Sequence, residues 1–137
     1  MRVTGYGVIL NSSGSICYEA SGVIKTNNKD TDLAARIKII LSGLEEVINQ
    51  FKPDCVSIEK VFVNSNPQST LLLGQARGAA ISAAVMQNLD VYEYTALQVK
   101  KSVVGMGHAS KSQVQIMVQK LLNLPSIPSS DSADALA

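Results

Sequence analysis

Two aspartates near the end of the sequence have a spacing that suits metal chemistry. Asp131 and Asp134 stand three residues apart, so on a helix they share one face. The run Ser129-Ser-Asp-Ser-Ala-Asp also matches a helix-capping pattern, in which acids offset the positive N-terminus of the helix. For this pair taken by itself, capping is the favoured interpretation.

A third carboxylate, Glu59, ends a short apolar strand that we predict to be buried. Ligands of α/β sheets gather at the carboxyl ends of strands, although a single glutamate there is ordinarily a solvated surface group. Hydrolysis of a phosphodiester by two metal ions needs several carboxylates around ions roughly 3.5–4 Å apart. Magnesium prefers such hard oxygen ligands. Glu59, Asp131 and Asp134 would supply three of them from distant segments.

The net charge of +1 hides an uneven distribution of charge along the sequence. Residues 94–130 contain no Asp or Glu and directly precede Asp131. Their basic residues are Lys100, Lys101, Lys111 and Lys120. This segment is either a solvated lysine face or a phosphate-binding surface beside a metal site.

An aromatic residue, Phe62, follows the strand-end glutamate closely. It lies in the run Val61-Phe-Val-Asn-Ser-Asn, a polar loop. Phe62 either anchors this loop by packing inward or stacks on an unpaired base.

Two glycine-containing runs resemble phosphate loops, but both depart from the pattern. Gly5 and Gly7 lack the third glycine of a dinucleotide fingerprint, because Leu10 occupies its position. The run 105–112 is close to a P-loop, but Ser110 replaces the glycine before the lysine, and a predicted helix precedes the run. A nucleotide-hydrolysing P-loop is therefore a third, disfavoured hypothesis.

Hydrophobic periodicity predicts the elements that carry these residues. A hairpin of two strands opens the sequence, and helices and short strands then alternate, with polar loops at 26–31 and 63–67. The order predicts an α/β fold with a mixed sheet, antiparallel at first and parallel later. The predicted strands are Thr4–Leu10, Ser15–Ile24, Cys55–Ile58 and Val91–Tyr94; the predicted helices are Leu33–Phe51 capped by Asp32, Ser69–Asn88, Ala96–Val104, Lys111–Leu122 and a last one capped by Ser129 or Ser130.

Length and composition limit the possibilities further. The 137 residues, 46% of them hydrophobic, suit a single domain over 1–137 with a real core. Two cysteines without a CxxC pair and one histidine exclude a zinc site and favour a reducing cytoplasm. The apolar run 71–86 contains Gln75 and Arg77, so we expect no membrane span.

Seven ordered blocks of the sequence resemble the RuvC family of Holliday-junction resolvases. The blocks are Arg2-Val-Thr-Gly-Tyr-Gly-Val8, Ile58-Glu-Lys-Val-Phe62, Leu73-Gly-Gln-Ala-Arg-Gly78, Gln98-Val-Lys100, Val103-Val-Gly105, Lys111-Ser-Gln113 and Asp131-Ser-Ala-Asp-Ala-Leu-Ala137. The resemblance implies a ribonuclease-H-like fold, with a mixed sheet flanked by helices. It also implies a homodimeric endonuclease that cuts four-way DNA junctions in recombination and repair, with separate branch-migration helicases as partners.

The resemblance assigns roles to individual residues. It implies that Glu59, Asp131 and Asp134 are catalytic acids that bind two Mg²⁺ ions, with Mn²⁺ able to substitute. It implies that Lys100 and Lys111 contact DNA phosphate near the cut, and that Phe62 contacts opened bases.

The sequence departs from the family at both ends. Family members begin with a central strand ending in Gly-Ile-Asp-Pro-Gly, whose Asp is the first catalytic acid, and this sequence has only Met1 before Arg2. The last helix is also short. We therefore expect the first central strand to be missing, and residues 1–137 alone to fold poorly and not to cut DNA. The alternative function is a junction-binding protein without catalysis.

Overall fold

The computed structural model describes residues 3–26, 32–62 and 65–137. The predicted polar-loop residues 27–31 and 63–64, and the start of the first family-like block at Arg2, lie outside these ranges. The elements in chain order are β1 Val3–Ser12, β2 Ser15–Lys25, α1 Leu33–Phe51, β3 Cys55–Glu59, α2 Pro67–Met86, β4 Asp90–Tyr94, α3 Ala96–Val104, α4 Lys111–Leu121 and α5 Ser130–Leu136. Type and order agree with the predictions.

The described strands form two sheets of two strands each. β1 and β2 are neighbours joined by the two-residue turn Ser13-Gly14, and both turn residues have positive φ. β3 pairs with β4 in parallel, as predicted, with Cys55 opposite Asp90 and Glu59 opposite Tyr94.

One compact unit contains residues up to Thr4 and Ile24–Thr95. Its first helix, α1, begins as predicted, because the Asp32 carboxylate accepts a hydrogen bond from the backbone N–H of Ala35 at 2.8 Å. Ile40 of α1 is buried in a cluster with Ala76 and Ala79 of α2. The small residues of α2 therefore allow close packing of the two helices.

The second compact unit contains Gly5–Val23 and Ala96–Ala137. Its core joins the α3–α4 connection, α4 and α5; the buried residues are Ala109, Val114, Val118 and Leu136. Helical periodicity in the sequence predicts that Val114, Val118 and Leu121 of α4 face inward. This prediction is wrong at Leu121, which is 58% exposed. Leu121 lies in the last turn of the helix and lines an open groove of about 660 Å³ together with Ile16 and Tyr18.

One further detail differs from the sequence predictions. β3 is not buried throughout: Val56 and Ile58 are half-buried, but Cys55, Ser57 and Glu59 are exposed. This alternation has the period of two of a strand with one covered face.

The chain divides into the two compact units described above. The expectation of a single domain over residues 1–137 stays a prediction. None of the helices in the described ranges has the length and hydrophobicity needed to cross a bilayer.

Candidate metal centre and DNA-contact residues

The two aspartates predicted as metal ligands lie on α5. The Ser129 hydroxyl caps this helix by accepting a hydrogen bond from the backbone N–H of Ser132 at 3.3 Å. Ser129 is one of the two predicted caps, and Asp131 lies in the first turn of α5, where its negative charge offsets the positive helix N-terminus, as the capping interpretation expects. Asp131 and Asp134 are both exposed, whereas Ala133 and Leu136 bury the other side of the helix.

Four of the predicted site residues, all in the second unit, interact electrostatically. Partial burial raises the pKa of Asp134 above the usual value for an aspartate, and the negative charge of Asp131 raises this pKa further. The positive charges of Lys111 and Lys100 lower the pKa of the same carboxyl. Two carboxylates that repel each other on one helical turn fit a divalent cation, since bound positive charge would offset both the repulsion and the desolvation.

Lys111 is the first residue of α4 and its backbone position is fixed by a capping box. The Ser110 hydroxyl accepts from the backbone N–H of Gln113 at 3.2 Å, and the backbone N–H of Ser110 donates to the Gln113 side chain at 2.7 Å. α3 precedes this loop, as predicted, so the run 105–112 is a helix–helix connection and not a strand-to-helix phosphate loop.

Gly5 and Gly7 allow α5 to approach β1 closely. A Cβ atom added at Gly5 would lie 2.5 Å from the backbone oxygen of Asp131, and one at Gly7 would lie 2.7 Å from Leu136 Cδ2. Only glycine at position 5 leaves room for the first turn of α5, because the opposing atom belongs to the backbone. The spacing of the two glycines, which is part of a phosphate-loop pattern, does not indicate this packing role.

Glu59 is placed at the carboxyl end of β3, as predicted, and its side chain is exposed. The Arg77 Nε–H of α2 donates a hydrogen bond to the backbone oxygen of Glu59 at 3.1 Å, and the Arg77 guanidinium pairs with Glu93 at 2.7 Å. The sequence patterns did not indicate Arg77 as a site residue.

Within residues 3–26, 32–62 and 65–137, no three His, Cys, Asp or Glu side chains form a group able to hold a metal ion. A shared site of Glu59 with the two aspartates stays a prediction.

Phe62 follows β3 and is 65% exposed. An inward loop anchor would be covered by neighbouring side chains, so the exposure disfavours that interpretation. The exposed ring is a stacking surface for a flat partner such as a base.

Comparisons with known proteins give one family. The family described as crossover junction endodeoxyribonuclease RuvC matches residues 1–137. A protein of that name from Methylobacillus flagellatus is 62% identical over 141 residues, which cover 100% of this chain and 78% of the relative. Another from Cupriavidus pinatubonensis is 59% identical, covering 99% of this chain and 75% of the relative. None of this supports the expectation that the chain is inactive.

Solved structures agree with the sequence matches. The structure of Thermus thermophilus RuvC aligns with a TM-score of 0.86 and 31% identity, covering 98% of this chain and 83% of that one. The Thermus thermophilus RuvC complex with a Holliday junction substrate gives the same TM-score at 29% identity, covering 99% of this chain and 89% of that one. These matches confirm the predicted ribonuclease-H-like α/β fold. The chain belongs to the RuvC family of crossover junction endodeoxyribonucleases.

Proposed function

We propose that this protein resolves four-way DNA junctions by metal-dependent hydrolysis of a phosphodiester bond. The observation that carries the proposal is the carboxylate pair of α5, which lies in the field of Lys100 and Lys111 within a chain of the RuvC family. The Thermus thermophilus relative solved with a Holliday junction supports the choice of substrate.

We propose Glu59, Asp131 and Asp134 as the acids that bind two Mg²⁺ ions, with Mn²⁺ able to substitute. Bound ions would supply an activated water and stabilise the leaving oxygen. The three carboxylates provide hard oxygen ligands, which suit these ions.

Lys111 and Lys100 are proposed to bind DNA phosphate beside these acids. Lys111 is exposed at the start of α4 and Lys100 is half-buried on α3, and both act on the charge of Asp134. Cations beside an acidic site reduce the repulsion between the carboxylates and an approaching phosphate. The exposed ring of Phe62 is proposed to stack on bases opened at the junction.

We propose that the active form is a homodimer, since two strands of one junction must be cut. The outward face of α2 supports this proposal: Leu71 and Val85 are exposed, and Cβ atoms added at Gly74 and Gly78 would meet nothing within 4 Å. Small residues at helical spacing between apolar ones allow two helices to pack closely. Branch-migration helicases of the same pathway are proposed as further partners.

We propose a cytoplasmic location because the proposed substrate is a DNA junction. Cys17 and Cys55 are free and exposed, which suits a reducing compartment.

The test is cleavage of a synthetic four-way junction by the full-length protein, with and without Mg²⁺. We expect symmetric, magnesium-dependent cuts and a dimer by sedimentation. Asp134→Asn should remove cleavage but keep junction binding. Junction binding without cleavage by the unmodified protein would favour the binding-only alternative, and ATP turnover would favour the P-loop hypothesis.

A further inference from the structure

Arg77 connects three elements at the end of β3 where Glu59 lies. It belongs to α2, donates to the backbone oxygen of Glu59 at 3.1 Å, and pairs with the Glu93 carboxylate of β4 at 2.7 Å. The side chain of Arg77 is only 23% exposed and that of Glu93 is 40% exposed. This bridge is therefore better shielded than an ordinary surface ion pair.

The strand register shows which part of Glu59 this bridge holds. Glu93 stands opposite Ile58, and Glu59 stands opposite Tyr94. Because side chains alternate between the faces of a sheet, Glu93 and Glu59 project from opposite faces. Arg77 thus holds the backbone of Glu59 from the α2 side of the sheet, while the Glu59 carboxylate projects from the other side.

A second contact fixes the same point of the chain. The backbone N–H of Lys60 donates to the oxygen of Tyr94 at 2.8 Å, and the chain leaves the sheet after this residue. This hydrogen bond ties the end of β3 to β4. The hydrogen bond from Arg77 ties it to α2 as well.

We propose that Arg77 is a positioning residue that holds Glu59 for metal binding, with Glu93 orienting its guanidinium. This inference rests on the proposed function of Glu59 as a metal ligand. A planar guanidinium can reach a backbone oxygen and a carboxylate at once, whereas an ammonium group offers one point charge. Groups that orient metal ligands typically change metal affinity or activity by about 10–100-fold when removed.

The experiment measures Mn²⁺ affinity by electron paramagnetic resonance and junction cleavage in the full-length protein. Arg77→Met should weaken Mn²⁺ binding and lower kcat by about 10–100-fold, and leave the Kd for the junction unchanged. The Mn²⁺ affinity and kcat of Arg77→Lys should lie between those of Arg77→Met and those of the wild type. Glu93→Gln keeps an acceptor oxygen and should give a smaller loss. Arg36→Met, on α1 of the same unit, is the matched control and should leave the Mn²⁺ affinity unchanged.

Glu59→Gln separates this inference from the proposed function. If Glu59→Gln loses cleavage but Arg77→Met keeps wild-type Mn²⁺ affinity and kcat, Arg77 is not a positioning residue. If Glu59→Gln itself binds Mn²⁺ and cuts normally, the assignment of Glu59 fails instead. If near-ultraviolet circular dichroism shows that Arg77→Met does not fold, the Mn²⁺ affinity and kcat of Arg77→Lys and Glu93→Gln decide the question in its place. Equal losses in Arg36→Met would also overturn the inference.

Discussion

Replacing Gly5 by alanine should displace the aspartates of α5 without changing any charged group. The new Cβ would lie 2.5 Å from the backbone oxygen of Asp131 and 3.0 Å from its carbonyl carbon. An ordinary contact begins at 3.4 Å, so α5 must retreat from β1 by about 0.9 Å. A flexible side chain could rotate away, but a helical carbonyl moves only with its helix.

The size of the effect follows from two opposing terms. Alanine restricts the unfolded chain and would stabilise by about 0.4–1 kcal/mol where the site has room. Overpacking of a filled site costs about 1–3 kcal/mol, so we expect net destabilisation. Misplacement of a reacting group by about 1 Å can cost roughly 100-fold in rate. We therefore expect kcat to fall by about 100-fold, well beyond the effect on stability.

The assay compares urea unfolding with single-turnover cleavage of a four-way junction at saturating Mg²⁺. Gly107→Ala is the matched control within the same unit, because its Cβ would lie 3.3 Å from the flexible end of the Leu97 side chain and 3.8 Å, an ordinary contact distance, from the Leu97 backbone oxygen. It should be nearly neutral in both measurements. Wild-type kcat in Gly5→Ala, at unchanged stability, would refute the view that β1 sets the position of the α5 acids.

Two further predictions concern contact with DNA. Lys111→Ala should weaken junction binding, reduce the salt slope by about 1, and leave the melting temperature unchanged, because the lysine is exposed. Phe62→Ala should reduce junction resolution and change the unfolding free energy by less than about 0.5 kcal/mol.

For each of these predictions, one experimental result would contradict it. Lys120→Ala, at the other end of α4, is the control for Lys111, and an equal loss of binding would mean a diffuse charge effect. A stability loss of about 3–5 kcal/mol in Phe62→Ala would show a core residue.

Local signals in the sequence were sufficient for most of the fold. Asp32 predicted the start of α1 because a carboxylate before an apolar-periodic run accepts the free N–H groups of the first turn. α2 begins at Pro67, two residues before the predicted start at Ser69. Asn66 caps this helix and Pro67 occupies its first turn, and this combination is itself a local signal for a helix start.

The parts that sequence reasoning missed depend on tertiary contacts. The hydrogen bond from Arg77 reaches a residue 18 positions away, and no local pattern indicates it. The role of Gly5 depends on α5, which lies at the far end of the chain. Leu121 continues the apolar spacing of α4, but its turn faces an open groove, so periodicity alone predicted burial that does not occur.

The parallel pairing of β3 with β4 also governs when Glu59 acquires its place during synthesis. Cys55 and its partner Asp90 are 35 positions apart, and α2 occupies most of the interval. At about 5–20 residues per second, β3 leaves the ribosome roughly 2–7 s before its partner strand. Charged residues on an edge strand discourage pairing with other chains. We therefore expect the carboxylate of Glu59 to discourage aggregation of the nascent chain until β4 is available for pairing.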